Sequence, residues 1–137
     1  MTVLLVGVPD GEQLELLRAG IQRNPHFRVL SHAREPAVAL AHARLLLPDI
    51  TVLSLPAGLD ALDADPDVLR VFHGVRALDP PSGVVLRTAA ARVPRALSGL
   101  VVEGAVHVVR AGDSEALMRA LRTIGLRRSS CDPDEMP

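Results

Sequence analysis

Residues 27–55, FRVLSHAREPAVALAHARLLLPDITVLSL, decide the fold of this chain. The stretch begins with a β-type run, Phe27–Leu30, and continues into an Ala- and Leu-rich segment, Pro36–Leu47, whose proline suits a first helical turn. A Pro-Asp turn ends that helix, and the apolar run Ile50–Leu53 follows as a strand. A strand, a helix and a second strand joined by short turns form the repeating unit of a parallel α/β sheet.

The same alternation continues on both sides of this unit. Before it, Val3–Val6 is a continuous apolar run, typical of a buried strand, and Glu12–Ile21 carries a helical apolar stripe. After it, the pattern predicts a helix over Asp67–Leu78, a strand over Val84–Leu86, a helix over Pro94–Val102, a strand over Ala105–Val109, and a helix over Ser114–Ile124 with Ser114 as its N-cap. Five such units predict a doubly wound, five-stranded parallel sheet, (βα)5, with helices on both faces.

Composition narrows the class of protein. The 137 residues suit one domain, which we place at residues 1–126, followed by a polar linker or disordered tail at 127–137. Two aromatic residues and no Trp or Tyr exclude a nucleic-acid platform that stacks bases on rings. All 15 basic residues are Arg, which indicates a GC-rich genome and removes lysine nucleophiles. The net charge of −1 gives no bulk attraction to nucleic acid.

Cysteine usage and hydropathy indicate a cytoplasmic protein without a disulfide framework. The single cysteine, Cys131, lies in the polar tail. The chain shows neither a signal peptide nor a run of about 18 apolar residues, so we expect no membrane span. The histidines outside the fifth strand show no metal spacing; they are His26, His32, His42 and His73.

The carboxyl ends of the strands are where a parallel sheet places its site. The residues predicted there are Gly7, Val8, Ser54, Thr88 and Arg110. They include no nucleophile with a base, no metal set and no phosphate-binding glycine motif, so we expect no enzyme. Ser54, Thr88 and Arg110 are candidates for an anion-binding corner. Alternatively, Ser54 only fits a tight strand end, Thr88 caps its strand, and Arg110 lies over the surface or pairs with Asp113.

These positions resemble a bacterial response-regulator receiver domain, the CheY-like, flavodoxin-like fold. The resemblance runs from Val3 to Ile124. VLLVGVPD is similar to the family's first strand and acidic corner, and VVLRTAA to its fourth strand with a switch threonine, here Thr88. EGAVHVVRAGDSEAL is similar to the Gly-Ala turn, the fifth strand and the start of the last helix. Together with the Arg-only composition, this resemblance leads us to expect a two-component regulator from a high-GC, actinobacterial-type genome.

The departures from the family predict a degenerate domain. By this resemblance, the family's two magnesium-binding acids fall on Gly7 and Val8, and its phospho-accepting aspartate falls on Ser54. The lysine that contacts the phosphoryl group falls on Arg110, and the aromatic switch residue falls on His107. Because Mg²⁺ needs carboxylate oxygens and the transfer needs a carboxylate nucleophile, we expect Mg²⁺ binding to be lost and no cofactor to be held. Asp10 and Asp60 are the acids that could restore a metal site.

The resemblance implies a pseudo-receiver of a two-component phosphorelay system that acts through protein–protein contacts. It implies a homodimer through the fourth helix, fifth strand and fifth helix. The candidate interface residues are Arg92, Arg95, Glu103, His107, Asp113, Arg119 and Arg122. The expected output is transcription through a DNA-binding domain outside this chain, which itself should bind neither DNA nor membrane. The alternative function is a switch that binds a small anion at Ser54, Thr88 and Arg110.

Overall fold

The computed structural model describes residues 1–55, 66–88 and 106–130, with the backbone alone for 66 and 127–130. Its strands are β1 (Thr2–Val6), β2 (Arg28–Ala33), β3 (Ile50–Ser54), β4 (Gly83–Thr88) and β5 (Val106–Arg110). Its helices are α1 (Glu12–Gln22), α2 (Pro36–Leu46), α3 (Pro66–Arg76) and α4 (Ser114–Ser130). The strands form one parallel sheet in the order β2-β1-β3-β4-β5, which confirms the predicted five-stranded parallel sheet. The helix predicted over 94–102 lies outside the described residues.

The described helices cover both faces of this sheet. Because side chains alternate along a strand, neighbouring residues of β1 such as Leu4 and Leu5 enter different cores. Leu5 belongs to the cluster that includes Leu121 of α4, and Leu4 to the cluster that includes Phe72 of α3. Residues of α1 join the first cluster and residues of α2 the second. Each fully buried Leu or Phe contributes about 1.5–3 kcal/mol, so both layers are held by apolar packing.

Two elements extend three or more residues beyond their predicted ends, while the other boundaries shift by one or two residues. β2 spans Arg28–Ala33 rather than Phe27–Leu30, because its later, more polar residues pair with β1 along its whole length. The last helix does not end at Ile124 but continues to Ser130, so residues 127–130 of the expected tail are helical. None of the helices that the structure describes is long and apolar enough to cross a membrane.

The N-cap of α4 is also different from the prediction. Ser114 is the first helical residue, and the side chain of Asp113 makes the cap. Asp113 Oδ1 accepts a hydrogen bond from the backbone N–H of Ala116 at 3.0 Å. A carboxylate satisfies an N-terminal N–H and favours the positive end of the helix dipole. The assignment of Ser114 as the cap was therefore wrong by one residue.

Candidate functional site

The carboxyl ends of three neighbouring strands, β1, β3 and β4, bring Gly7, Ser54 and Arg87 together. Gly7 follows β1 with φ of +85°, and a Cβ built on it would lie 2.5 Å from the backbone oxygen of Ser54. Ser54 ends β3, is 8% exposed, and is in register with Arg87 of β4. Residues in register on parallel strands point to the same face, so the side chains of Ser54 and Arg87 lie side by side.

Arg87 places a cation in this corner. Its Nη1 donates a long hydrogen bond of 3.5 Å to the Oγ of Ser54. Burial lowers the pKa of Arg87 below its ordinary value, because desolvation penalises the charged guanidinium. The guanidinium nevertheless stays protonated at neutral pH. Within the described ranges, Arg87 has no carboxylate partner, so its charge is offset there by a neutral hydroxyl alone.

An open groove extends from this corner along the face between α1 and α4. Gly7, Ser54, Arg87 and Arg110 all line it. Arg110, the last residue of β5, is exposed, and β5 is the strand next to β4. Of the residues that the sequence assigned to an anion-binding corner, the structure thus brings Ser54 and Arg110 to one groove.

Thr88 does not join them on the groove wall. Its side chain is 2% exposed, and it lies two residues after Leu86, on the face that α2 and α3 cover. Its hydroxyl has no hydrogen-bond partner among the described residues. Thr88 is in register with Arg110, but it is not among the described residues that line the groove.

Only one of the two acids considered for a rebuilt metal site, Asp10, lies within the described residues. Asp10 is 81% exposed, and its Oδ1 lies 3.1 Å from Nε2 of His32 on β2. The other ring nitrogen of His32, Nδ1, lies 3.0 Å from Nη2 of Arg18. Since Arg18 can only donate, Nδ1 accepts and Nε2–H donates to Asp10. Asp10 is thus held at the β2 edge of the sheet, and Asp60 lies outside the described residues.

The described residues of the corner supply no carboxylate ligand for Mg²⁺. Mg²⁺ prefers an octahedral set of oxygens that includes carboxylates. Among the described residues, the corner offers Gly7 without a side chain, Val8 buried in the apolar cluster under α1 and α4, and the hydroxyl of Ser54. The adjacent guanidinium of Arg87 would repel a cation. No group of three or more possible metal ligands occurs in the part of the chain that the structure describes.

Some of the candidate interface residues lie within the described structure. His107 is half-buried and in register with Val85, so it lies on the face that α4 covers. Asp113, Arg119 and Arg122 are exposed at or on α4. Arg110 is exposed and has no ion pair with Asp113, whose carboxylate caps α4. The other predicted interface residues, Arg92, Arg95 and Glu103, lie outside the described ranges.

Arg87 is the site residue that sequence reasoning missed. A signal was present, because Arg87 is the one charged residue of the strand, GVVLRT, and follows three apolar residues. A charged residue in a buried strand needs a reason, since charged side chains are seldom buried without a partner. Its contact with Ser54 depends on the register between β3 and β4, which the sequence does not show.

Comparison with known proteins identifies the fold. No family model and no curated protein matches the chain. Among solved structures, it resembles the signal receiver domain of a modulated diguanylate cyclase from Desulfovibrio desulfuricans G20, with 15% identity, a TM-score of 0.65 and coverage of 96% of this chain and 98% of the other. The signal receiver domain of the putative response regulator NarL from Mycobacterium tuberculosis is 20% identical, with a TM-score of 0.59 and coverage of 90% and 95%.

A third structure, RcsB from Salmonella enterica serovar Typhimurium, is bound to promoter rprA. It is 14% identical, with a TM-score of 0.61 and coverage of 95% of this chain and 66% of RcsB. These matches extend over most of the chain, and the first two are signal receiver domains. The chain therefore has the fold of response-regulator receiver domains.

Proposed function

We propose that the chain is a receiver-type signalling module that works without an aspartyl-phosphate cycle. The observation that carries the proposal is the corner itself, where Ser54 stands at the end of β3 with the guanidinium of Arg87 beside it. The neighbouring positions after β1, Gly7 and Val8, bring no carboxylate. A receiver fold whose described corner is cationic has lost the chemistry that Mg²⁺-dependent phosphoryl transfer requires.

Ser54 does not replace the missing nucleophile. A serine hydroxyl must be activated by a neighbouring base before it attacks a phosphoryl group. The described partner of its Oγ is the guanidinium of Arg87, which donates and cannot accept a proton. A phosphoserine cycle at this position is therefore disfavoured as well.

The signal would instead pass through protein contacts. We propose that two copies of the chain form a homodimer. The surface we propose for it includes β5, α4 and the segment between β4 and β5. Arg119 and Arg122 are exposed on α4 and suit charged contacts across such a surface. We also propose a transcriptional output through a DNA-binding domain outside this chain. RcsB, which shares the fold, is bound to a promoter in its solved structure.

Covalent phosphorylation tests the proposal directly. The chain is incubated with acetyl phosphate and Mg²⁺, and its intact mass is measured beside a receiver domain that retains the acidic corner. The expected result is modification of the control and none of this chain. A mass increase of one phosphoryl group on this chain, dependent on Mg²⁺, overturns the proposal.

The dimer has its own test. Sedimentation of the wild-type chain is compared with that of the double variant Arg119→Glu plus Arg122→Glu. We expect the wild type to form a concentration-dependent dimer. The double variant should be shifted towards monomer, since reversing two charges on the proposed surface would disrupt charged contacts across it. A wild-type chain that stays monomeric at all concentrations would remove the homodimer from the proposal and leave a different protein as the partner.

A further inference from the structure

We propose that Arg87 anchors a binding site for a small phosphate-type oxyanion, held non-covalently at the corner of Ser54, Arg87 and Arg110. The inference rests on the proposed function, because it requires a corner that lacks the acidic residues of a phosphorylated receiver. It moves the predicted anion site from Thr88 to Arg87, since Arg87 lines the groove with Ser54 and Arg110.

No described carboxylate balances the charge of Arg87. The guanidinium has five N–H donors, and one of them makes a long hydrogen bond to Ser54. Two described acids that line the groove contact other groups: Asp67 lies 3.9 Å from Arg70, and Asp113 caps α4. A partly desolvated cation that has no described carboxylate partner gains stability from an external anion.

The groove offers an anion further hydrogen-bond donors and a path from solvent. Ser54 carries a hydroxyl that can donate to an oxyanion while its own oxygen accepts from Arg87. Arg110 is in register with Thr88, but at the exposed end of its strand it also lines the groove, and its long side chain can bring a second guanidinium there. The groove is open along the α1 and α4 face, so an anion can enter from solvent.

The hydrogen-bond donors of the corner favour one class of ligand. A guanidinium presents parallel N–H groups that match two oxygens of a phosphate or carboxylate. A tetrahedral phosphate additionally offers oxygens to a hydroxyl and to a second arginine at once. Ser54, Arg87 and Arg110 supply that combination, which favours a phosphate group over a lone carboxylate. The phosphate could be inorganic or part of a metabolite, and the two sources share this chemistry.

Titration calorimetry with sodium phosphate tests the site on the full chain. The ionic strength is kept constant with sodium chloride, because a change in salt concentration would alter the screening of the arginine–phosphate attraction. We expect saturable binding by the wild type and an affinity reduced about tenfold or more in Arg87→Met. Arg44→Gln, which removes an exposed arginine of α2 outside the groove, is the matched control and should bind as the wild type does.

A parallel titration with glycerol 3-phosphate separates the two sources. Tighter binding of the ester assigns the site to a phosphorylated metabolite, and equal or weaker binding assigns it to inorganic phosphate. Either result supports the site when Arg87→Met weakens the binding about tenfold or more. Phosphate binding that Arg87→Met leaves unchanged, or no binding by the wild type, overturns this inference. Either of those results leaves the proposed function intact, because that proposal fails on covalent phosphorylation instead.

Discussion

The backbone oxygen of Ser54 lies 2.5 Å from the point where Gly7 would carry a Cβ atom. Gly7 also has φ of +85°, a left-handed conformation that side chains with a Cβ rarely adopt. The end of β1 and the end of β3 are therefore packed so closely that only glycine fits between them. By its resemblance to receiver domains, Gly7 occupies the position of one of the family's two metal-binding acids. In this chain that position has no room for a side chain.

Gly7→Ala should destabilise the fold by about 1–3 kcal/mol, because it adds both backbone strain and a contact with the Ser54 carbonyl. Urea unfolding measures the loss. Gly20→Ala is the matched control, since nothing lies within 4 Å of its Cβ position in α1, and alanine should there be neutral or stabilising. If Gly7→Ala were as stable as the wild type, the close packing of β1 against β3 would be contradicted.

Ser54→Asp restores a carboxylate, but we expect it to form an ion pair with Arg87 instead of a phosphorylation site. The pair should add about 1–2 kcal/mol at neutral pH. Arg87 would hold the pKa of the new carboxyl below its unfolded value, so the gain is present above the unfolded pKa. It disappears as the pH falls through the folded pKa.

Thermal unfolding of Ser54→Asp at several pH values checks this pair, and the double variant Ser54→Asp plus Arg87→Met should lose the gain. A carboxylate at position 54 that lowers stability at neutral pH would contradict the position of Arg87. The single variant should still not be phosphorylated with acetyl phosphate and Mg²⁺, because Gly7 and Val8 continue to supply no metal ligand.

Arg87→Met should leave the stability unchanged or raise it by up to about 1 kcal/mol in phosphate-free buffer. Burial lowers the pKa of Arg87, so folding penalises the charged guanidinium, and methionine removes that penalty while filling similar space. In the wild type, the desolvation penalty on Arg87 disappears only when the pH rises through the pKa of Arg87 in the folded protein, because the guanidinium then loses its charge. A large loss of stability in chemical unfolding would show that Arg87 is held by a structural partner.

The cap of α4 can be assigned by two neighbouring substitutions. Asp113→Ala should cost about 1 kcal/mol, because the N–H of Ala116 loses its acceptor and the helix loses a negative charge at its N-terminus. Ser114→Ala, one residue later, should cost less than about 0.5 kcal/mol, because alanine is a good helix former. Urea unfolding of both variants gives the comparison, and the reverse order of effects would restore Ser114 as the cap.

A buried pair of hydroxyls ties β3 to the turn before β4. Thr51 Oγ1 and Ser82 Oγ lie 2.9 Å apart, and both residues are fully buried. Thr51→Val and Ser82→Ala should each cost about 1–2 kcal/mol, since each leaves the other group with one partner fewer. The double variant should cost less than the sum of the two, and a double-mutant cycle measures the difference. Additive losses would mean that the two hydroxyls do not interact.

The sequence was informative where local pattern decides structure. Short apolar runs such as Ile50–Leu53 predicted the buried strands, and the alternation with helices predicted the parallel sheet. The extent of β2 was missed because the residues that complete it, Ser31 and His32, are polar and are recruited by pairing with β1. Arg87 was missed for a similar reason, because its role follows from the register of β4 against Ser54.

The central claim is that the corner no longer holds Mg²⁺ and a phosphoryl group. A thermal-shift titration with Mg²⁺ plus beryllofluoride tests it most directly, because any ligand that binds the native state alone raises the unfolding temperature. We predict no shift that depends on Mg²⁺, while an intact receiver domain in the same plate should shift. A clear Mg²⁺-dependent shift of this chain would mean that an acidic corner is present, and the account would be wrong.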